Sequence, residues 1–532
     1  MIKTYVADCP SCGAPVEFKV SSALVTICSS CQSVVARGDR NLEDHGKVAA
    51  IVNTNSPLKL GVEGTYEGER FELVGHLQYR HEAGGVWDEW YAAFPNDRWG
   101  WLSESQGKLH LLFPRNVAEG AKFPTWQEVA AGNRYAFPDV GSLTVSEVSR
   151  AQAAGAEGEL PFQLAPGTVH NFADLTGPDG EFATFDYGED PPVVYLGSET
   201  SLSELGITAT SDYDPEFTDE RIASGQVSCP NCGGSLELKA PDAALRVSCP
   251  YCDALLDCEQ GKLAYLKTLD QGKAQVVIPL GTVGWFRGDE YTVIGFMRRS
   301  VTYDMDYYWS EYLLYSKELG FRWMIHSDGH WSFGEPLPPG EVSSNTSRLT
   351  GGNFLNCRGR SFRLFQQAPA RVRYVLGEFY WKVELDEVVY SRDFVSPPNM
   401  ISMEIGGRDS EDKNSSEINL TLATYIPHEE IEASFGVKGL SRGWGVSPNQ
   451  PSPVDKKVYL WWLVGGVLIL LLYAIFLSGM LGATASKLDG GILFWALIFV
   501  SAIPGGALIY HYSFEKRRWQ DSEFNPYASD DD

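Results

Sequence analysis

The sequence is short of positive charge. Against 69 aspartates and glutamates stand 43 lysines and arginines, a formal net charge of -26, and this opposes a general nucleic-acid role, because phosphate binding depends on clustered cations that displace counterions. The simplest reading of the acidity is solubility. The chemistry of the common enzyme signatures is missing too. No nucleophile elbow, no phosphate-cradling glycine loop with its lysine and no His-Glu zinc motif occurs, so the standard routes to hydrolysis, phosphoryl transfer and metal-activated water have no sequence support. The stretch Met1 to Pro10 has no apolar run of signal-peptide length, which leads us to expect a cytosolic N-terminus.

What is present points to several β-rich domains. A chain of 532 residues exceeds what one core organises. Its 53 glycines and 29 prolines imply many turns, and 15 tryptophans and 25 tyrosines supply large core side chains.

Long apolar runs are confined to the C-terminal region. Val458 to Leu477 and Ile492 to Tyr510 carry no charge, and at about 1.5 Å per residue each spans a hydrocarbon layer of about 30 Å. The short loop between them, Ser478 to Gly491, allows only an antiparallel transmembrane hairpin. Pro504-Gly505-Gly506 should kink or locally unwind the second helix. Lys456 and Lys457 precede the first span and Lys516, Arg517 and Arg518 follow the second, against Lys487 in the loop, so both ends should face the cytosol. With no Asp, Glu, Lys or Arg inside either span, an ion or proton pathway lacks its usual marks and anchoring is the reading.

Cysteines come in pairs of pairs. Cys9-Pro-Ser-Cys12-Gly13 is followed by Cys28-Ser-Ser-Cys31, and Cys229-Pro-Asn-Cys232-Gly233 by Cys249-Pro-Tyr-Cys252. This is the spacing of a four-cysteine zinc ribbon, in which each Cys-x-x-Cys turn offers two thiolates to one side of a tetrahedral ion. Two structural Zn2+ ions are therefore expected, each closed by four sulfurs, with no position open for an activated water. A reducing compartment argues against disulfides. Cys258 and Cys357 read as ordinary core thiols.

The recurrence continues beyond the cysteines. Leu60-Gly61-x-x-Gly64 and Gly68-x-x-Phe71-x-x-x-Gly75 reappear as Leu280-Gly281-x-x-Gly284 and Gly288-x-x-Tyr291-x-x-x-Gly295. Trp87-x-Glu89-Trp90 returns as Trp309-x-Glu311-Tyr312, Trp101 as Trp323, and Gly158-Glu159-Leu160 as Gly377-Glu378-Phe379. The chain is a tandem duplication. Large residues alternate along Phe71 to Tyr79 as a half-buried strand requires, Pro95-Asn96-Asp97 marks a hairpin tip, and Pro427 to Ser434 with Gly436 beyond it predicts a short helix. The division that results is a ribbon over 1–40, a β-rich domain over 50–210, a ribbon over 225–262 and a β-rich domain over 270–440. A proline-rich linker over 441–455 should act as an extended tether, followed by a transmembrane hairpin over 456–514 and an acidic cytosolic tail over 515–532. Acidic and polar stretches near 210–225 and 407–417 mark the breaks. The fold class is thus mainly β, two tandem units of zinc ribbon plus antiparallel sheet or barrel, with an α-helical membrane hairpin at the end.

These repeated motifs resemble the bacterial domain-of-unknown-function family numbered 4178. The resemblance implies a bacterial, β-rich, membrane-linked protein of the inner membrane, with a hint of membrane-stress and polyamine-related company, and carries no assigned activity. Paired structural metal sites, duplicated β domains and an anchor all position surfaces, so an interaction scaffold is the leading expectation. Its partners would be the bilayer and a protein at the membrane, with no nucleic acid, and a homo-oligomer is compatible. No catalytic residue is assigned. The alternative, an enzyme or small-molecule sensor, rests on Glu89 and Glu311, the carboxylates that recur beside aromatics. His326 and His330 flank Asp328-Gly329 in an expected turn and read as structural.

Overall fold

The computed structural model describes residues 5–528 apart from 38–41, 50, 52–55, 83–84, 106–107, 116–122, 166, 189–191, 208–225, 241–243, 260–261, 303–305, 318, 407–415, 456 and 478–489. The acidic stretch between the copies and most of the polar loop near 407–417 lie outside the described residues, as do Ser529 to Asp532.

Each copy closes an eight-stranded antiparallel barrel. The first comprises β1 (Glu69–His81), β2 (Val86–Ala93), β3 (Trp99–Ser105), β4 (Lys108–Arg115), β5 (Gly141–Leu160), β6 (Val169–Thr176), β7 (Glu181–Asp186) and β8 (Val193–Thr200). Around the ring the order is β1-β2-β3-β4-β8-β7-β6-β5, and β5 returns to β1. The second has β9 (Asp289–Thr302), β10 (Asp306–Ser316), β11 (Gly320–Ser327), β12 (His330–Leu337), β13 (Arg360–Phe379), β14 (Val388–Ser396), β15 (Asn399–Ile405) and β16 (Ser416–Ile426). It repeats the topology as β9-β10-β11-β12-β16-β15-β14-β13. Closure removes every free edge from the ring.

One 20-residue strand in each copy makes closure possible. The N-terminal half of β5 pairs with β6 and its C-terminal half with β1, and bulges near Glu147 and Gly155 bend it between the two. Strand β13 does the same between β14 and β9. The expected hairpin is also present, with Pro95–Asp97 joining Ala93 and Trp99 in register and Asn96 in the left-handed region at φ 61°.

The ribbons plug the barrels. Val25–Ile27 pairs with the end of β5, Thr26 opposite Glu159, and Arg246–Ser248 pairs with the end of β13, Val247 opposite Glu378. Val25, Ile27, Val34 and Ala36 of the first ribbon share one core with Leu77, Tyr91, Trp101 and Ala156 of the barrel. Ala240 and Leu255 of the second ribbon join Met297, Leu313 and Val375 in the same way. The family-like Gly-Glu pair locks the joint. Glu159 accepts the backbone N–H groups of Lys19 at 2.7 Å and Val20 at 3.1 Å, and Glu378 those of Lys239 at 2.6 Å and Ala240 at 2.8 Å. Beneath each carboxylate residue passes a glycine, Gly75 or Gly295, at a bulge where any Cβ would overlap the carbonyl of Glu159 or Glu378. The repeated glycine is a close-approach site.

The barrels meet along β5 and β16, where Glu147 faces Glu417 and Val148 faces Ser416. The N–H of Leu349 donates to Gly132 O at 3.1 Å, and that of Gly340 to the Thr176 hydroxyl at 2.9 Å.

After β16 comes helix α1 (His428–Phe435), capped by Pro427 and ended by left-handed Gly436, close to the expected span. The segment 441–455 differs from expectation. Instead of standing off as a tether it lies along the second barrel, where Trp444 N–H donates to Asp328 O and buried Asn449 bonds Ser332 and Ala423. Helices α2 (Lys457–Leu477) and α3 (Gly490–Arg518) follow, and α3 runs unbroken through Pro504. Leu497–Arg518 is long and apolar enough to cross a membrane, and a shorter apolar helix, Leu460–Ile475, precedes it. The Trp462 indole donates to Ser501 at 3.1 Å between them.

The tail, expected as an acidic cytosolic extension, folds back onto the second barrel over its described residues. Arg518 is wholly enclosed, ion-paired to Glu515 and donating to the carbonyls of Ser447 at 3.1 Å and Pro448 at 2.6 Å, while Trp519 packs on Phe365 of β13. Proline-rich stretches look extended by composition, but here apolar and amide partners on the barrel outweigh the entropy of a loose chain.

Because a methyl group cannot fit against the crossing carbonyl, Gly295→Ala should destabilise the second barrel by about 2–3 kcal/mol, the scale of a forced overpacking. Urea unfolding of the full chain with proteolysis across the 225–262 ribbon would show the ribbon released first; an unchanged midpoint contradicts the packing described.

Candidate metal centres and barrel lumen

All four cysteine knuckles adopt one turn. In the first ribbon the N–H of Gly13 donates to Cys9 O and that of Gln32 to Cys28 O, both at 2.8 Å. In the second, Gly233 donates to Cys229 at 2.8 Å and Asp253 to Cys249 at 3.1 Å. The turn needs a left-handed residue after its second cysteine, which Gly13 and Gly233 supply without strain and Gln32 and Asp253 supply at φ 60° and 53°. The non-glycine departures in the closing knuckles thus keep the same geometry.

The eight sequence-assigned cysteines gather into two clusters, Cys9, Cys12, Cys28 and Cys31, and Cys229, Cys232, Cys249 and Cys252. Sulfurs lie 3.7–3.8 Å apart in the first (Cys12 to Cys28, Cys9 to Cys31) and 3.9 Å in the second (Cys229 to Cys252, Cys232 to Cys249). A tetrahedron with metal–sulfur bonds of about 2.3 Å has edges of about 3.8 Å, whereas a disulfide brings sulfurs to about 2.05 Å. The spacing therefore suits four thiolates around one ion. Cys258 and Cys357 are buried and belong to neither cluster, Cys258 lying in the apolar core that backs Cys229 and Cys249.

His326 and His330 do not form a metal pair. His326 stacks on Trp331, and His330 bonds the Tyr425 hydroxyl and the Trp444 carbonyl, each at 3.1 Å.

Glu89 and Glu311 stand inside their barrels. Each is clipped by the tryptophan two residues before it, the Trp87 indole donating to Glu89 at 2.9 Å and that of Trp309 to Glu311 at 2.5 Å. The W-x-E motif is thus an intrastrand clip on the inner face. Across the lumen stand acids that the sequence reading missed. Asp174 on β6 accepts the Thr184 hydroxyl at 2.7 Å, and its counterpart Asp393 on β14 accepts that of Ser402 at 2.6 Å. One pleat further along, Asp186 on β7 corresponds to Glu404 on β15. Burial pushes Asp174 up to about 8, aided by Glu147, and Glu89 up to about 7 against the pull of the Trp87 and Ser103 donors.

With this geometry in place, the repeated units can be assigned. The chain belongs to the family described as Domain of unknown function (DUF4178). The family model matches residues 59–202 and 279–428, together more than half of the chain. Its two matches coincide with the two barrels, so the ribbons lie outside the DUF4178 units and are joined to them by Glu159 and Glu378. No curated protein and no solved structure matches the chain.

Two measurements follow. Cys12→Ser should lower metal content from two ions per chain to one in elemental analysis, because three thiolates leave the tetrahedron open; an unchanged count refutes the ligand set. For Asp174 the folded carboxyl keeps its proton from about pH 4 to 8 while the unfolded one has lost it, so stability is fullest in acid and declines as pH rises through that window. Asp174→Asn should remove that decline, raising stability on the order of 1–2 kcal/mol above pH 8 after allowance for water reaching the lumen. Thermal melts across pH 5–9 decide it, and parallel curves for the two proteins would refute it.

Proposed function

We propose that this DUF4178 protein is a membrane-anchored interaction scaffold facing the cytosol of a bacterium, held in shape by two structural Zn2+ ions and without enzymatic activity of its own. The observation that carries the reading is the double use of each ribbon, whose four sulfurs gather at tetrahedral spacing at one end while its strands close a barrel mouth at the other. Four thiolates and no nitrogen or oxygen ligand suit zinc, which would have no coordination position left for substrate. A metal so placed stabilises shape.

The helices support anchoring. Trp461, Phe499 and Ile509 are each at least 70 % exposed, and α2 and α3 bare apolar side chains on their outer sides, a surface that suits lipid and not water. We read them as a two-pass hairpin of the inner membrane with both termini cytosolic, since Lys457, Lys516 and Arg517 flank its ends. The docked tail holds the second barrel close to the bilayer, and the backbone pairing between β5 and β16 carries the first along. Two barrels at one anchor present paired surfaces to a protein partner, so two weak contacts act together. Membrane stress is the process we favour, and homo-oligomers fit the same picture.

Affinity purification of the full chain from native membranes, with zinc quantified in the eluate, tests the reading. We expect about two zinc ions per chain and a reproducible co-purifying protein that a Cys12→Ser, Cys232→Ser double variant loses while remaining membrane-bound. Recovery of the zinc-loaded chain alone, in repeated preparations, overturns the scaffold.

A further inference from the structure

The two barrels handle the same lumenal acids differently. In the second, Arg299 on β9 reaches into the lumen, 4 % exposed, and pairs with Glu311 at 3.5 Å and with Glu404, its guanidinium lying 5.6 Å from the Trp309 ring centre. Glu311 and Glu404 sit on β10 and β15, opposite walls of the ring, so the arginine bridges the barrel from within. The first barrel keeps every acceptor of this arrangement. Glu89 replaces Glu311, Asp186 replaces Glu404, and Trp87 replaces Trp309, each at the matching register position.

What it lacks, among the described residues, is the arginine. Counting from the shared glycines Gly75 and Gly295, the residue that matches Arg299 is Tyr79. Tyr79 stacks on Trp87 at 5.2 Å and meets His170 edge-on at 5.6 Å, and Phe172 closes on Trp87 at 5.6 Å. The lumen of the first barrel is therefore lined by π faces and by carboxylates from opposite walls. Among the described residues the basic groups facing it are His81, engaged with Glu147 at 2.6 Å, and His170, whose Nδ1 is buried without a hydrogen-bond partner 4.0 Å from Asp186. Glu89, Asp174 and Asp186 are each half-buried, as Glu404 is in the second barrel, whereas Arg299 and Glu311 are buried.

We propose that the first barrel is a binding site for a guanidinium group supplied from outside the chain, seated between Glu89 and Asp186 beside the stacked rings of Tyr79 and Trp87. The second barrel is the internal template. There the same acceptors hold a guanidinium of the protein's own, and such a planar cation satisfies two carboxylates and an aromatic face together, as a fork of N–H donors requires. Proton balance agrees, because burial holds Glu89 at about 7 and Asp174 at about 8. A bound cation favours their ionised forms, so binding near neutral pH releases protons. The inference does not rest on the scaffold reading, and a chain that recruits no protein would still bind.

The test titrates the full chain in detergent with methylguanidinium, followed by calorimetry in buffers of different ionisation enthalpy and by tryptophan fluorescence. The expected result is saturable binding of one equivalent with proton release, and no response to urea, the uncharged isostere. Tyr79→Arg, which copies the second barrel into the first, should abolish binding while leaving the chain folded, and Glu89→Gln should weaken it by at least about tenfold. An arm with Nα-acetylarginine amide assigns the source: affinity equal to methylguanidinium points to an arginine side chain of a partner, and affinity at least about tenfold lower points to a free small guanidinium compound. Absence of saturation up to about 10 mM, equal binding of urea, or unchanged affinity in Tyr79→Arg each overturns the proposal.

Discussion

The joint between ribbon and barrel carries the rest of the structure. A carboxylate at the end of a 20-residue strand accepts two backbone N–H groups from the ribbon, over a glycine that lets the strand cross without a side chain between. Charge-assisted bonds to paired amides are among the stronger contacts a folded chain makes. This one is also enclosed: burial raises Glu378 to about 7 in spite of its two donors. Through it, whatever fixes the ribbon also fixes the barrel mouth, because the strand that reaches the carboxylate is the one that closes the ring.

Duplication gives the chain an internal control. Features kept in both copies are those closure demands: the close-approach glycine, the carboxylate joint, the indole clip on Glu89 and Glu311, and the hydroxyl on Asp174 and Asp393. The place where the copies part, Tyr79 against Arg299, lies in neither the outer cores nor the joint. One copy bridges two of its lumenal acids with an arginine, and the other sets the matching pair among aromatic rings and a histidine. A lumen filled by its own ion pair gains rigidity, whereas one left polar and accessible gives up stability for the capacity to accept something.

Sequence reasoning reached the cysteine clusters, the duplication, the hairpin at Pro95, the short helix after Pro427 and a β-rich barrel-like class, because each depends on local spacing or on turn residues. It did not reach the lumen. Thr184 and Asp186, like Ser402 and Glu404, alternate with apolar neighbours, and a period of two reports which residues share a face without saying whether that face meets solvent or a barrel interior. The recurrence itself held the missing signal: extending the copy-to-copy alignment past Gly158 and Gly377 would have paired Asp174 with Asp393 and Asp186 with Glu404. The linker and tail escaped for a different reason. Composition reports how loose a segment is when free, but not the carbonyls of Ser447 and Pro448 waiting for Arg518, nor the face of Phe365 waiting for Trp519.

These docked segments change how the molecule transmits load. Had 441–455 been a loose spacer, the barrels would move independently of the helices. Instead Arg518, at the end of α3, bonds the carbonyls that precede α2, and Trp519 rests on the long strand β13, whose far end is the Glu378 joint to the second ribbon. Helix end, strand, carboxylate and cysteine cluster therefore form one continuous path of bonds and packing contacts. A shift of α3 relative to α2 would pull on β13, and β13 shares the wall of the barrel that holds Arg299. The first barrel is tied to that path through the pairs of β5 with β16 at Glu147 and Val148 and through the bonds of Leu349 to Gly132 and of Gly340 to Thr176, so a ligand in its lumen would act on the rest of the chain across that seam.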